Sequence, residues 1–211
     1  MSIFEEMSSF LQQGRAPKVK ELVEAALADG QDAKKILEEG LLSGMSIIGN
    51  KFKNNEVYVP EVLIAARAMN AGMEVLKPAL ASADVTSKGK AILGTVKGDL
   101  HDIGKNLVKI MLEGKGIEVI DLGTDVSADQ FIQAAIDEGA NIIACSALLT
   151  TTMGIMKTVV EKAVEMGVRD KVNIMVGGAP VTENFKDTIG ADYYTADAAS
   201  ASDVALSILE A

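Results

Sequence analysis

From Lys90 onward the chain alternates short apolar runs with longer segments of helical period, and few folds accept that rhythm. The runs are Ala91–Val96, Glu118–Leu122, Asn141–Cys145, Asn173–Val176 and a weaker Asp192–Thr195. Ile103–Lys115, Ser127–Asp137, Thr151–Met166, Thr182–Ile189 and Ala198–Leu209 read as the helices that follow them, with Ser127 and Thr182 suited to N-cap positions. Strands that are apolar throughout must be buried on both faces, which crossover helices achieve around a parallel sheet. Five such units predict a flavodoxin-like (Rossmann-like), doubly wound parallel five-stranded sheet. Ligands of these sheets bind beyond the carboxyl ends of the strands, where the strand order reverses.

The residues up to about Ala83 follow a different period. Ile3, Phe4, Met7, Phe10 and Leu11 recur at helical spacing until Gly14. Pro17 suits the first turn of a second helix, with Val19, Leu22, Val23, Ala26 and Leu27 on one face and Gly30 as its stop. Ile36, Leu37, Leu41, Met45 and Ile48 continue a helical face, with a bend expected near Gly40. Asn54-Asn55 interrupts it, and Pro60 opens a long stripe of Val62, Leu63, Ala66, Met69, Met73 and Leu76. Four helices of this kind predict a small bundle. Ser82 to Lys90 is small, polar and charged and reads as a linker. The expected division is therefore a helical domain, 1–84, and a sheet domain, 88–211.

Composition excludes several classes of function. A formal charge of −10 disfavours nucleic acid as a partner, because phosphates would be repelled. No apolar run is long enough to span a membrane, and the first residues lack the basic start and apolar core of a signal peptide. The single cysteine, Cys145, rules out an intramolecular disulfide, fits a reducing cytoplasm and reads as a small buried strand residue.

The segment Lys97-Gly-Asp-Leu-His-Asp-Ile-Gly104 falls between the first strand and its helix, on the rim where ligands bind. His101 is the only histidine in the chain. Asp99 lies two residues before it and Asp102 directly after. A neighbouring carboxylate accepting one ring N–H fixes the tautomer and leaves the other nitrogen as a lone-pair donor, as in metal-ligating imidazoles. Gly98 and Gly104 flank the segment where a bulky ligand would need close backbone approach. By itself the segment is equally compatible with a capped turn carrying a surface histidine. Two more rim segments follow, Ser146-Ala-Leu-Leu-Thr-Thr-Thr-Met153 after the third strand and Gly177-Gly-Ala-Pro180 after the fourth. Their hydroxyls can bond a heterocycle or the carboxylate behind the histidine, and paired glycines leave a groove for a flat group. The milder alternatives are a helix cap for Thr150 or Thr151 and an ordinary Gly-Gly turn.

Taken together, Asp-x-His-x-x-Gly, then Ser-x-Leu, then Gly-Gly resembles the base-off, histidine-on cobalamin-binding domain family. The helical half adds to the likeness, because Gly44-Met-Ser-Ile-Ile-Gly49, Phe52 and Tyr58-Val-Pro-Glu-Val62 resemble the cap bundle that precedes that domain in methionine synthase and in small corrinoid methyl carriers. The resemblance implies that His101 is the lower ligand of cobalt, that Asp99 orients it, and that Thr152 stands where the family often has a serine completing the relay. It assigns the segment Gly98, Asp99, Leu100, His101, Asp102, Ile103 and Gly104 to the cofactor surface. Ser146 would bond the displaced base, with Leu148 and Thr150 lining its slot, and Gly177 and Gly178 would flank the nucleotide tail. Phe52 and Val59, which read on their own as bundle core, would cover the upper, methyl-bearing face.

The implied cofactor is cobalamin or a related corrinoid, cycling between cob(I)alamin and methylcobalamin. The implied activity is carriage of a methyl group between a donor-specific methyltransferase, for methanol, a methylamine, a betaine or an aryl methyl ether, and an acceptor methyltransferase using tetrahydrofolate or a thiol. A reductive activase is a further implied partner. A cobalamin sensor or storage module without methyl transfer is the alternative, and a flavodoxin-like signalling domain without a corrin is a third reading.

Overall fold

The computed structural model describes residues 2–83 and 86–211. The chain divides into two compact units, one built on Met1–Ser87 and the other on Lys88–Glu113 and Ile117–Ala211. The expected linker includes Asp84 and Val85, which lie outside the described residues.

The first unit is helical. It consists of α1 (Ile3–Gln12), α2 (Ala16–Ala28), α3 (Ala33–Lys35), α4 (Ser43–Lys53) and α5 (Val59–Ser82), with a π-helical segment, Ile36–Leu42, joining α3 to α4. Ser2 and Glu5 cap α1 reciprocally, the Glu5 N–H donating to the Ser2 hydroxyl and the Ser2 N–H to the Glu5 carboxylate. The expected bend near Gly40 takes the form of that π-helical turn, where Met7 packs against the space a Gly40 side chain would need. Met7, Leu11, Val19, Val23, Ile36, Leu41, Ile48 and Leu76 form the buried interior. Two members of the expected stripe fall outside it, Met73 being only partly buried. Leu63 is 48% exposed, because the buried face of α5 runs through Val62, Ala65, Ala66, Met69, Gly72 and Leu76 instead.

The second unit is a five-stranded parallel sheet of β1 (Lys90–Thr95), β2 (Glu118–Asp121), β3 (Ile142–Ser146), β4 (Asn173–Gly177) and β5 (Tyr193–Thr195), in the order β2-β1-β3-β4-β5. Its helices are α6 (Ile103–Glu113), α7 (Ala128–Glu138), α8 (Gly154–Glu165), α9 (Glu183–Ile189) and α10 (Ala198–Leu209). The two-residue period of the strands sorts their side chains into two cores. Ala91, Leu93, Ile142, Ala144 and Met175 meet Leu112 of α6 and Ala201 and Ala205 of α10 on one face. Ile92, Ile143, Cys145, Ile174 and Val176 meet Phe131 and Ile132 of α7 and Met156, Val159 and Ala163 of α8 on the other. Ser127 and Thr182 are N-caps, accepting from the N–H groups of Gln130 and Phe185.

The strand order is that of the flavodoxin-like doubly wound fold, and it places the reversal between β1 and β3. Thr95 at the end of β1 is in register with Ser146 at the end of β3, and Ser146 with Gly177 at the end of β4. The three rim segments singled out in the sequence therefore leave the sheet at one level.

Each unit holds an apolar interior of its own, so a fragment of residues 88–211 is expected to fold alone. It should show a cooperative urea transition and the circular dichroism of a mixed α/β protein. An insoluble fragment, or one without a cooperative transition, would show that the sheet unit needs the helical one.

Candidate functional site

Asp99 is the centre of the rim. It is fully buried. Its Oδ1 accepts from the His101 ring Nδ1 at 2.7 Å and from the His101 backbone N–H at 3.1 Å. Its Oδ2 accepts from the N–H groups of Leu148 at 2.8 Å and Leu149 at 3.2 Å, and from the Thr152 hydroxyl at 3.0 Å. Burial by itself would raise the carboxyl's pKa. The hydrogen bonds from His101, Leu148 and Thr152 outweigh it and hold Asp99 well below the usual carboxylate range. An ionised carboxylate can only accept, so Nδ1 carries the imidazole proton and Nε2 presents its lone pair. The His101 side chain is 52% exposed, and Nε2 has no partner among the described residues.

Two local features bring the loop to this position. Gly98 has φ +83, a left-handed conformation that side chains resist, and its N–H donates to the Asp125 carboxylate at 2.7 Å. Asp102 turns away from the histidine and starts α6, its carboxylate accepting from the Asn106 side chain and its carbonyl from the Asn106 N–H. The carboxylate behind the imidazole is thus Asp99 and not Asp102. In the first turn of α6, Lys105 is only 2% exposed, and its ammonium lies 2.6 and 2.7 Å from the two oxygens of Asp121 at the end of β2. Burial raises the Asp121 carboxyl's pKa, but the bonds from Lys105 and the Gly123 N–H and the charges of Lys105 and Lys109 lower it overall. The pair ties the helix behind the histidine to the neighbouring strand.

The loop after β3 departs from the helix start expected at Thr151. Helix α8 begins at Gly154, and its N-cap residue, Met153, has no side-chain bond. Neither Thr150 nor Thr151 caps it, and both are exposed. Thr152 is diverted to Asp99, and its hydroxyl also lies 3.0 Å from the Leu149 carbonyl. Leu148 is 46% exposed, so it contributes its N–H to Asp99 while its side chain faces outward. Leu100 and Ile103 on the histidine loop are 73% and 77% exposed. Gly104 is exposed too, with open space where a side chain would stand. Four exposed apolar or bare positions thus lie on the two segments that carry the half-exposed imidazole and the donors to its carboxylate.

Ser146 ends β3 half-buried between Thr95 and Gly177. Gly178 has φ +130, and any Cβ there would collide with the Ala147 carbonyl, so this glycine lets the β4 loop press against the β3 loop. Beside Gly177, the nearest neighbour of a Cβ would be the Thr195 carbonyl at 3.3 Å. Phe52, near the end of α4, and Val59, which starts α5, are partly buried and belong to the helical unit. Cys145 is buried in the sheet, and burial pushes its thiol up to about 12.

Sequence reasoning missed Thr95, Asp125 and the Lys105–Asp121 pair. Thr95 is fully buried and donates its hydroxyl to the His101 carbonyl at 2.9 Å. A threonine closing a strand is indistinguishable in sequence from any β-branched strand residue, and Asp125 lies 26 positions after Asp99 with no spacing signal linking them.

Comparison with known proteins shows the family. A family model described as a B12 binding domain matches residues 89–205, and a second model with the same description matches residues 3–77. A corrinoid protein of Desulfitobacterium hafniense is 39% identical over 99% of this chain and 98% of its own length. Trimethylamine corrinoid protein 1 of Methanosarcina acetivorans is 45% identical over 82% of each chain. Among solved structures, the methanol:cobalamin methyltransferase complex of Methanosarcina barkeri contains a chain that matches with a TM-score of 0.89 at 30% identity, covering 99% of this chain and 80% of that one. A cobalamin-binding protein of Desulfitobacterium hafniense matches with a TM-score of 0.79 at 28% identity, covering 97% and 98%.

The geometry separates the buried carboxylate from the half-exposed ring. Asp99→Ala leaves the part-buried Leu148 and Leu149 N–H groups and the Thr152 hydroxyl without this acceptor and is expected to cost the apoprotein about 2–4 kcal/mol in urea denaturation. His101→Ala removes a half-exposed ring and is expected to cost about 1 kcal/mol or less. The depressed Asp99 pKa adds a sign. Its contribution is complete above the ordinary carboxylate pKa of about 4 and is lost as the pH falls below it, so the gap between wild type and Asp99→Ala should narrow in acid. Equal losses for the two variants, or a gap that widens in acid, would contradict the assignment.

Proposed function

The chain belongs to the B12-binding domain family and binds a corrinoid, and we propose that it carries a methyl group on the corrinoid's cobalt between two partner methyltransferases. One partner would take the group from methanol, a methylamine, a betaine or an aryl methyl ether. The other would pass it to tetrahydrofolate or a thiol, and a reductive activase would restore the working oxidation state. The observation that carries this reading is the His101–Asp99 pair, a half-exposed imidazole with its outer nitrogen free and its inner nitrogen bonded to a buried carboxylate.

The residues present fit such a group. Exposed Leu100, Ile103 and Leu148 offer apolar surface beside the imidazole, and Gly104 leaves the helix start bare for a broad, flat macrocycle. The Ser146 hydroxyl, half-buried at the crevice, is available to a heterocycle displaced from the metal. The corrinoid supplies the group-transfer chemistry when bound, its cobalt accepting a methyl group when reduced and releasing it to a nucleophile.

The chain's own residues supply binding and electronic tuning. His101 Nε2 would hold the metal, and Asp99 strengthens that donor by accepting the Nδ1 proton's hydrogen bond. Thr152 supports the far oxygen of Asp99, so threonine keeps the hydroxyl that a relay of this kind uses. Ser146 and Gly177, side by side at the ends of β3 and β4, would flank the base and the nucleotide tail.

Reconstitution with unlabelled cob(II)alamin tests whether His101 would hold the metal. Electron paramagnetic resonance should show coupling to one nitrogen that changes from a triplet to a doublet when the protein is labelled with ¹⁵N. His101→Ala should remove the protein-derived coupling. A spectrum unaffected by the label would end the assignment of His101 as metal ligand. For the carrier role, reduced holoprotein mixed with methanol or a methylamine should stay unmethylated until the donor-side methyltransferase is added. Rapid turnover of donor and acceptor by this chain alone would make it a complete enzyme instead.

A further inference from the structure

The hydrogen bonds around the histidine loop do more than hold the imidazole. Thr95 donates its hydroxyl to the carbonyl of His101 itself, at 2.9 Å. The backbone of Thr95 is fixed by the loop after β2, its N–H donating to the Gly123 carbonyl at 2.9 Å and its carbonyl accepting from the Val126 N–H at 3.0 Å. Asp125 reaches the other end of the loop twice. Its carboxylate accepts the Gly98 N–H at 2.7 Å, and its own N–H donates to the Asp99 carbonyl at 3.1 Å. Asp125 does this at φ +58, a conformation that aspartate and asparagine tolerate better than most residues. It is itself exposed, so packing does not impose that conformation on it.

We propose that Thr95 and Asp125 are positioning residues that clasp the backbone of the histidine loop at both ends, so that the imidazole alone would adjust when it holds a metal. The inference rests on the reading of His101 as metal ligand. A loop pinned at Gly98, Asp99 and His101 keeps Nε2 aimed outward before any ligand arrives. It also keeps the imidazole within reach of Asp99 when the nitrogen is not in use. Without the clasp, the carbonyl of His101 and the N–H of Gly98 would turn to water and the loop would sample other positions.

Thr95→Val keeps the shape and removes the hydroxyl, and Thr95→Ser restores it. Asp125→Ala removes the acceptor, while Asp125→Asn keeps an oxygen at the same place and tolerates the positive φ. In the apoprotein, amide hydrogen exchange at His101 and Leu148 should quicken by about tenfold in Thr95→Val and Asp125→Ala, the worth of one net hydrogen bond. Exchange at Ile143 and Ile174 in the inner strands should not change. Thr95→Ser and Asp125→Asn should behave as wild type. In protein reconstituted with cob(II)alamin, the nitrogen-coupled fraction should fall in the first two variants and be preserved in the second two. Unchanged exchange at His101 and Leu148, or equal acceleration throughout the sheet, would overturn the clasp. If wild-type protein lacks nitrogen coupling altogether, the reading of His101 as metal ligand fails, and the exchange measurement on apoprotein still decides the clasp by itself.

Discussion

A buried carboxylate is the constraint on which the rest of the site depends. Removing Asp99 from water is costly, and the fold offsets that cost with donors drawn from two loops: the ring and backbone of His101 on one side, and Leu148, Leu149 and Thr152 on the other. Hydrogen bonds to an ionised acceptor contribute about 1.5–3 kcal/mol each, so several together compensate for burial where a single one would not. The loops after β1 and β3 therefore cannot move independently without exposing an unpaired charge.

The sheet brings those two loops together. In the order β2-β1-β3-β4-β5 the crossovers from β1 and β3 leave on opposite faces, which opens a crevice between their carboxyl ends. The helices α6 and α10 pack on one face and α7 and α8 on the other, so these four helices of the sheet unit flank the gap. A single carboxylate spanning it joins the two halves of the fold at the place where topology would otherwise leave them apart. The Lys105–Asp121 pair makes the corresponding join between α6 and β2.

The architecture was legible because it rests on patterns longer than any one contact. The switch from helical period to apolar runs at Lys90 marks the sheet unit, and continuous strands such as Ala91–Val96 announce burial on both faces. The relay from His101 through Asp99 to Thr152 was legible through the resemblance that the motifs carried. Other features depend on tertiary geometry that no local pattern encodes. The helix expected from Thr151 begins at Gly154, after a turn in which neither Thr150 nor Thr151 caps it and Thr152 bonds Asp99, a partner 53 residues away that local capping rules cannot register. Leu63 faces outward because small residues, Ala65 and Gly72, form the buried stripe of α5, and a count of large apolar side chains passes over them. Thr95 and Asp125 act through backbone groups of the histidine loop, and backbone partners leave no trace in side-chain spacing.

The two oxygens of Asp99 divide their work. Oδ1 takes both of its bonds from His101, whereas Oδ2 takes all of its bonds from the loop after β3. A change in the electron demand on the imidazole reaches Oδ1 directly, while the bonds at Oδ2 hold the carboxylate in place as that demand varies. One of those Oδ2 donors can itself adjust, because the Thr152 hydroxyl has a second acceptor, the Leu149 carbonyl, at the same distance of 3.0 Å. A hydroxyl carries one proton, so rotation of Thr152 alone strengthens or withdraws support at Oδ2 without moving the backbone. Such a partner would suit an imidazole in the proposed role: it is fixed in position, adjustable in the hydrogen bonds it receives, and closed to the water that would otherwise level the difference.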